Sequence, residues 1–263
     1  VTRPDRLAPL MPNTWLRYDV IARLLPPGVA DVLEIGCGQG GVAVRLARRY
    51  AYLGLEPDPA SYAVAAARLA TAGTGQVRPI PVESLPPGRY DLVCAFEVLE
   101  HLDDDAAAVR DWAARVRPGG WLLLSVPVRV RRYGPFDELV GHVRRYDPAG
   151  ITALLHAAGL VEVRVRQYGV PLGYLLEAVR NAIGRRRLAA AAGKSTVERT
   201  AGSGRTLQPR RPWLGTATRL GTAPFRLAQR AFPGAGTGLV VRARVPAGLT
   251  GPGGLTGPGG TAR

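Results

Sequence analysis

The sequence predicts an α/β fold in which a mostly parallel sheet is covered by helices on both faces. Three observations predict it. Short branched-aliphatic runs alternate with alanine-rich stretches of helical period along most of the chain. A glycine cluster sits where the first of those runs meets the next helical stretch. The length, 263 residues, gives room for one substantial core with appendages.

Each element follows from its own pattern. The apolar period from Trp15 through Tyr18, Ile21 and Leu25, stopped by Pro26-Pro27, predicts a helix over 13–27. ADVLEI at 30–35 is the first strand, GCGQGG the turn after it, and VAVRLARRY at 42–50 the start of a helix. AYLGLE at 51–56 is the second strand, with a helix from Ser61. VRPIPV at 77–82 is a third strand whose prolines deny ladder donors, so it belongs at an edge. DLVCAF at 91–96 is the fourth, and a helix over 105–116 is bounded by Pro118-Gly119-Gly120 before WLLLSVPV, the fifth. A helix over 148–158 precedes a strand at 161–168. GLVVRARV at 238–245 is expected to pair antiparallel with 161–168 as the last strand.

The division expected is a helical cap over 1–29, a core over 30–170, a basic helical insertion or lid over 171–236, a last core strand at 237–246 and a disordered Gly/Pro tail at 247–263. In the insertion LGYLLEAVRNAI and LGTATRLGTAPFRLAQRAF look helical, and residues 191–212 between them, rich in glycine, threonine and arginine, are expected to be mobile.

The formal charge is +15, from 35 basic and 20 acidic residues, with Lys194 as the only lysine. The excess gathers in the insertion, where Glu177 and Glu198 are the acids. Charge of this kind supplies affinity without selectivity, and the chain has no aromatic-interleaved basic stripe, which argues against a nucleic-acid partner. Cys37 and Cys94 lie in glycine-rich or apolar core segments, unlike a disulfide framework, which fits a reducing cytoplasm. The first residues carry no apolar run of signal length and no later stretch reads as a transmembrane segment.

Chemistry is concentrated at strand ends. VLEIGCGQGG places Gly36, Gly38 and Gly40 between a buried strand and a helix, where glycine permits a sharp turn and close approach of a ligand. A substituted Gly38 is expected to crowd that turn. A dinucleotide fingerprint is the competing reading, but the spacing is GxGxG and Glu34 lies two residues before the first glycine. A carboxylate there repels a pyrophosphate and attracts an ammonium. Glu56, ending the second strand, is placed to accept hydrogen bonds from a ribose diol.

With these motifs in hand, residues 15–170 resemble the class I S-adenosylmethionine-dependent methyltransferases, most nearly their small-molecule branch that includes quinone O-methyltransferases. The family's first motif is matched by Glu34, Gly36, Gly38 and Gly40, and its later acidic residue by Glu56. PVESLP stands for the adenine-side segment, YDLVCAFEVLEHL for the fourth-strand segment and RPGG for the approach to the fifth strand. The resemblance implies a Rossmann-like seven-stranded, mostly parallel sheet with an antiparallel last strand, and S-adenosyl-L-methionine as cofactor. It implies further cofactor contacts from Cys37, Pro57, Phe96 and Glu97. Pro81 stands where many relatives have an aspartate, so Glu83 or the backbone of Val82 is left to meet the adenine amine.

Methyl transfer to a hydroxyl needs alignment and a base. His142 in GHVRRY is the expected base, with His101 in EVLEHL as the other candidate. Glu138, Arg144, Arg145 and Tyr146 are expected to complete the acceptor pocket, with Tyr174 and Trp213 of the insertion giving it an apolar face. No CxxC set or HExxH pair argues for a metal, and the run Asp103–Asp105 reads as a helix start. The expected activity is O-methylation of a secondary metabolite, sugar or phenolic compound. An RNA methyltransferase and a non-catalytic cofactor-binding scaffold are the alternatives, and a homodimer contact or membrane-surface association is the other use of the insertion.

Overall fold

A computed structural model of the chain describes residues 8–86, 88–188 and 212–248, without the side chains of 212–214. Its strands are β1 (Asp31–Ile35), β2 (Ala51–Leu55), β3 (Gln76–Arg78), β4 (Tyr90–Phe96), β5 (Val116–Pro127), β6 (Val161–Gly169) and β7 (Gly236–Arg244). They form one sheet in the order β3-β2-β1-β4-β5-β7-β6. The first five pair in parallel, and β7 runs antiparallel to both β5 and β6. This is the Rossmann-like sheet expected, with β3 at an edge; it is shorter than the strand expected over 77–82 because it stops at Arg78, before Pro79. The helices are α1 (Pro12–Leu24), α2 (Ala43–Ala47), α3 (Pro59–Ala72), α4 (Asp105–Ala114), α5 (Pro135–Val140), α6 (Pro148–Ala157), α7 (Leu172–Leu188), α8 (Pro212–Gly221) and α9 (Ala223–Ala228).

The central strands read as unbroken apolar runs because alternate side chains are buried on opposite faces. Val32, Leu92, Leu123 and Val240 pack against Leu16 and Ile21 of α1, Leu46 of α2 and Leu69 of α3. Leu33, Val93, Leu122 and Val241 pack against Val109 and Trp112 of α4 and Ile151 and Leu155 of α6. Caps fix where the helices begin. Asp58 accepts from the Ser61 amide at 2.9 Å to start α3, and Asp104 accepts from the Ala107 amide at 2.8 Å to start α4. The acidic run at 103–105 is thus a helix start, as read from the sequence.

Two departures from the sequence reading have local causes. β5 begins at Val116, because Val116 pairs with Tyr90 and the chain then shifts register before Trp121 meets Leu92. Gly120 permits this, since a Cβ there would lie 2.8 Å from the Asp91 carbonyl oxygen. Second, α5 forms between β5 and α6, where the sequence reading had no helix, opened by Pro135 and closed by Gly141 at φ +79°.

The described end of the insertion is fastened to α1. Gln229 donates to the Leu16 carbonyl at 2.9 Å, and Arg230 pairs with buried Asp19 at 2.6 Å. The segment expected to be mobile, apart from Pro212, and the Gly/Pro tail beyond Gly248 lie outside the described residues. Among the described residues no helix is long and apolar enough to cross a membrane.

Candidate active site

Strand order reverses between β1 and β4, and a cavity of about 1040 Å³ lies over the carboxyl ends of β1, β2 and β4. Crevices at such switch points are where open α/β sheets bind ligands. α1, α5 and α7 supply the remaining walls through Asn13, Arg17, Phe136, Val140, Leu176 and Arg180.

At the glycine end the walls are Glu34, Gly36, Cys37, Gly38, Glu56 and Pro57. Gly36, Gly38 and Gly40 all have positive φ, but their neighbourhoods differ. A Cβ on Gly36 would lie 2.6 Å from Val98, and one on Gly40 3.1 Å from the Ala65 Cα, whereas one on Gly38 meets no protein atom within 4 Å. The expected crowding at Gly38 is therefore corrected: Gly36 and Gly40 are needed for packing, and Gly38 leaves open a cradle that faces the cavity. Glu56 accepts from the Gly38 amide at 2.7 Å and the Asp58 amide at 2.9 Å, one per oxygen, so each keeps a lone pair for a hydroxyl. Glu34 is buried and accepts the Tyr52 hydroxyl at 2.6 Å. Burial raises its pKa to about 7, against the opposing pull of Tyr52 and Arg17.

Phe96 and Glu97 continue the wall from β4. Glu97, at φ 58°, accepts from Ser125 at 3.0 Å and pairs with Arg17 at 3.2 Å. Burial alone would raise its pKa, but Arg17 and His142 bring it below the ordinary value. Two other wall atoms, Asn13 Oδ1 and Arg17 Nε, are buried without a hydrogen-bond partner. A buried carboxylate, an open glycine cradle and an unsatisfied guanidinium nitrogen on facing walls fit the ammonium, backbone and carboxylate of a bound amino-acid moiety. The adenine-side calls are corrected: Val82 is packed in the core, Glu83 is exposed, and neither is on the cavity wall.

Both candidate bases face the cavity, ring edge to ring face, with centroids 4.7 Å apart. His142 Nδ1 lies 2.8 Å from Asp137 Oδ1. Arg145 donates to both Asp137 oxygens, from Nε at 3.0 Å and from Nη2 at 2.7 Å. Burial opposes ionisation of Asp137, yet His142 and Arg145 hold its pKa down to about 2. A carboxylate fixed at Nδ1 orients the ring with Nδ1 as donor, and Nε2 then lies 3.8 Å from Glu100 Oε1, beyond hydrogen-bond reach. His101 Nδ1 lies 3.1 Å from the Gly141 carbonyl, and burial beside His142 lowers its pKa to about 4, which makes it a poor proton acceptor.

Glu100, wholly buried, has neither oxygen hydrogen-bonded, and burial beside Glu97 raises its pKa well above the ordinary value. One ligand atom each from Glu100, His101 and His142 lies within 4.8 Å of the others, a set able to hold a divalent cation although the sequence offered no metal motif.

The acceptor residues expected from GHVRRY are placed elsewhere. Arg145 is buried between Asp137 and Glu177, Tyr146 donates to Asp105 at 2.9 Å, and Arg144 pairs with Asp105 at 2.8 Å. Glu138 is exposed, and Tyr174 stacks under Arg132 at 4.9 Å. None of these five is on the cavity wall, and the Trp213 side chain lies outside the described residues. The apolar face comes instead from Leu176, Val179 and Ile183 of α7. With Arg180 they stand at i, i+3, i+4 and i+7, the signal by which the sequence could have named them.

The chain is 39% identical over 125 residues to a ubiquinone biosynthesis O-methyltransferase of Albidiferax ferrireducens, covering 44% of this chain and 49% of that protein. It is 35% identical over 159 residues to a probable S-adenosylmethionine-dependent methyltransferase of Mycolicibacterium smegmatis, covering 56% and 59%. The chain thus spans about half the length of these curated relatives. Among solved structures, the cyclase SpnF superposes with a TM-score of 0.58 at 22% identity, covering 94% of this chain and 86% of that one. A possible histamine N-methyltransferase of Thermotoga maritima gives 0.53 at 18%, covering 88% of each. At such identities these two show the fold alone. Residues 10–165, more than half of the sequence, match the family described as Methyltransferase domain, and the chain belongs to the class I S-adenosylmethionine-dependent methyltransferases.

Proposed function

We propose that the chain transfers a methyl group from S-adenosylmethionine to a hydroxyl of a small-molecule acceptor. The observation that carries this reading is the Asp137–His142 pair, opening on the same cavity as the Glu34–Gly38–Glu56 end. The cofactor, when bound, supplies an electrophilic methyl group. Glu34 meets the ammonium, Arg17 the carboxylate, and Glu56 the ribose hydroxyls. His142 Nε2 takes the proton of the acceptor hydroxyl as its oxygen becomes nucleophilic, and Asp137 stabilises the imidazolium. Arg145, held by Asp137 and Glu177, positions Asp137 without touching ligand. The apolar walls from α5 and α7 favour a small molecule over RNA. The relatives named for ubiquinone biosynthesis support an O-methyl product and leave the acceptor open.

The test is His142→Gln beside Asp137→Asn. Removing a positioned base costs about 10²- to 10⁴-fold in rate. Both variants are expected to lose turnover in that range, with cofactor affinity and melting temperature of His142→Gln close to the parent. Near-parental turnover in His142→Gln would remove the base assignment and direct attention to an acceptor that arrives already ionised.

A further inference from the structure

We infer that the acceptor is an acid: an apolar ring or chain bearing a carboxylate, which Arg180 receives. The inference rests on the methyl-transfer reading, since it concerns the acceptor half of the same cavity. Arg180 is the one charged residue in the inward stripe of α7, between Val179 and Ile183, and its guanidinium stacks on Phe136 at 5.2 Å. Its Nε is sealed from solvent and has no hydrogen-bond partner, and among the described residues no carboxylate forms an ion pair with it.

The nearby acids are committed elsewhere. Glu177, one turn earlier on α7, binds Arg132 and Arg145. Glu97 attracts Arg180 across the cavity, but its Oε1 already faces Arg17, Ser125 and Tyr168. Arg17 makes the ion pair with Glu97, and Arg180 makes none among the described residues. A guanidinium stays charged when buried, and the attraction of Glu97 and Glu177 falls short of its desolvation cost. Its planar donor fork matches a carboxylate, and a single cation on an apolar wall suits a monoanion. Arg180 rests on Phe136 of α5 and His142 on Asp137 of the same helix, and both line the one cavity. A hydroxy acid could thus be gripped at its carboxylate while its hydroxyl lies toward His142.

The experiment is calorimetric titration of naphthoate and of its neutral isostere naphthamide into the protein saturated with S-adenosylhomocysteine. The parent, Arg180→Met and Arg180→Lys are compared, with melting curves to verify folding and Arg180→Gln in reserve where the Met variant fails to fold. Charge-assisted pairing predicts that the parent prefers naphthoate by about 10- to 100-fold. Arg180→Met and Arg180→Gln lose that preference, Arg180→Lys keeps part of it, and S-adenosylhomocysteine affinity is unchanged in all. Equal affinity of the parent for the two probes overturns the inference, as does a preference that survives Arg180→Met. Weakened S-adenosylhomocysteine binding in Arg180→Met also overturns it, by giving Arg180 to the cofactor's carboxylate. If the parent does not bind S-adenosylhomocysteine, the methyl-transfer reading fails, and the naphthoate preference measured alone still decides the role of Arg180.

Discussion

Glu34 and Gly38 show how a single residue can be read for fold and for ligand separately. Between about pH 4.5 and pH 7 the folded chain keeps a proton on Glu34 that the unfolded chain has shed, so this group's contribution to stability falls as pH rises through that window. An ammonium beside Glu34 favours the ionised form, so cofactor binding releases a proton and should tighten as pH climbs from about 5.5 to about 7.5. Calorimetry in buffers of different ionisation enthalpy should detect that proton, and Glu34→Gln should bind more weakly with the pH dependence flattened. The glycines make a paired expectation. Gly36→Ala drives a Cβ into Val98 and should lose about 1–3 kcal/mol of stability in urea unfolding. Gly38→Ala incurs only the positive-φ cost, about 1 kcal/mol, but fills the cradle, so its loss should appear chiefly in cofactor affinity. Parental cofactor affinity in Gly38→Ala would show that Gly38 does not line the ligand.

At the scale of elements, the candidate site depends on the clamp between α5 and α7. Arg145 ties Asp137 of α5 to Glu177 of α7, and all three are buried. Removing one member of such a network typically costs about 3–5 kcal/mol. Arg145→Met should lose stability in that range by denaturant unfolding and lower turnover through a loosened Asp137, whereas loss of turnover at parental stability would place Arg145 on the ligand. The sequence reading of this region was the least accurate. GHVRRY was legible as chemistry because the chain has only three histidines, but which side chains face inward depends on the six-residue α5, too short to declare a period. The strands, by contrast, were legible because burial on both faces leaves continuous apolar runs, and the glycine turn because the backbone there adopts positive φ. Arg17 was not legible as a site residue, since its partner Glu97 lies far along the chain, and Asp137 was not, since its contact with His142 depends on the turn at Gly141 that ends α5.

Across the whole molecule, the sheet presents the ends of β1, β2 and β4 to one cavity, and α1 with α7 completes it from outside the parallel core. The insertion is therefore part of the candidate acceptor wall, and its α9 end is anchored on Asp19 and Leu16. The measurement that tests the central claim most directly is incubation of the protein with S-adenosylmethionine bearing a radiolabelled methyl group and a small-molecule extract, followed by chromatography and mass spectrometry. Label is expected in a product heavier than its precursor by one methylene, formed with the parent and suppressed by Glu34→Gln and by His142→Gln, the first through binding and the second through rate. Tight cofactor binding with no labelled product from any extract, or label that appears equally with His142→Gln, would contradict it.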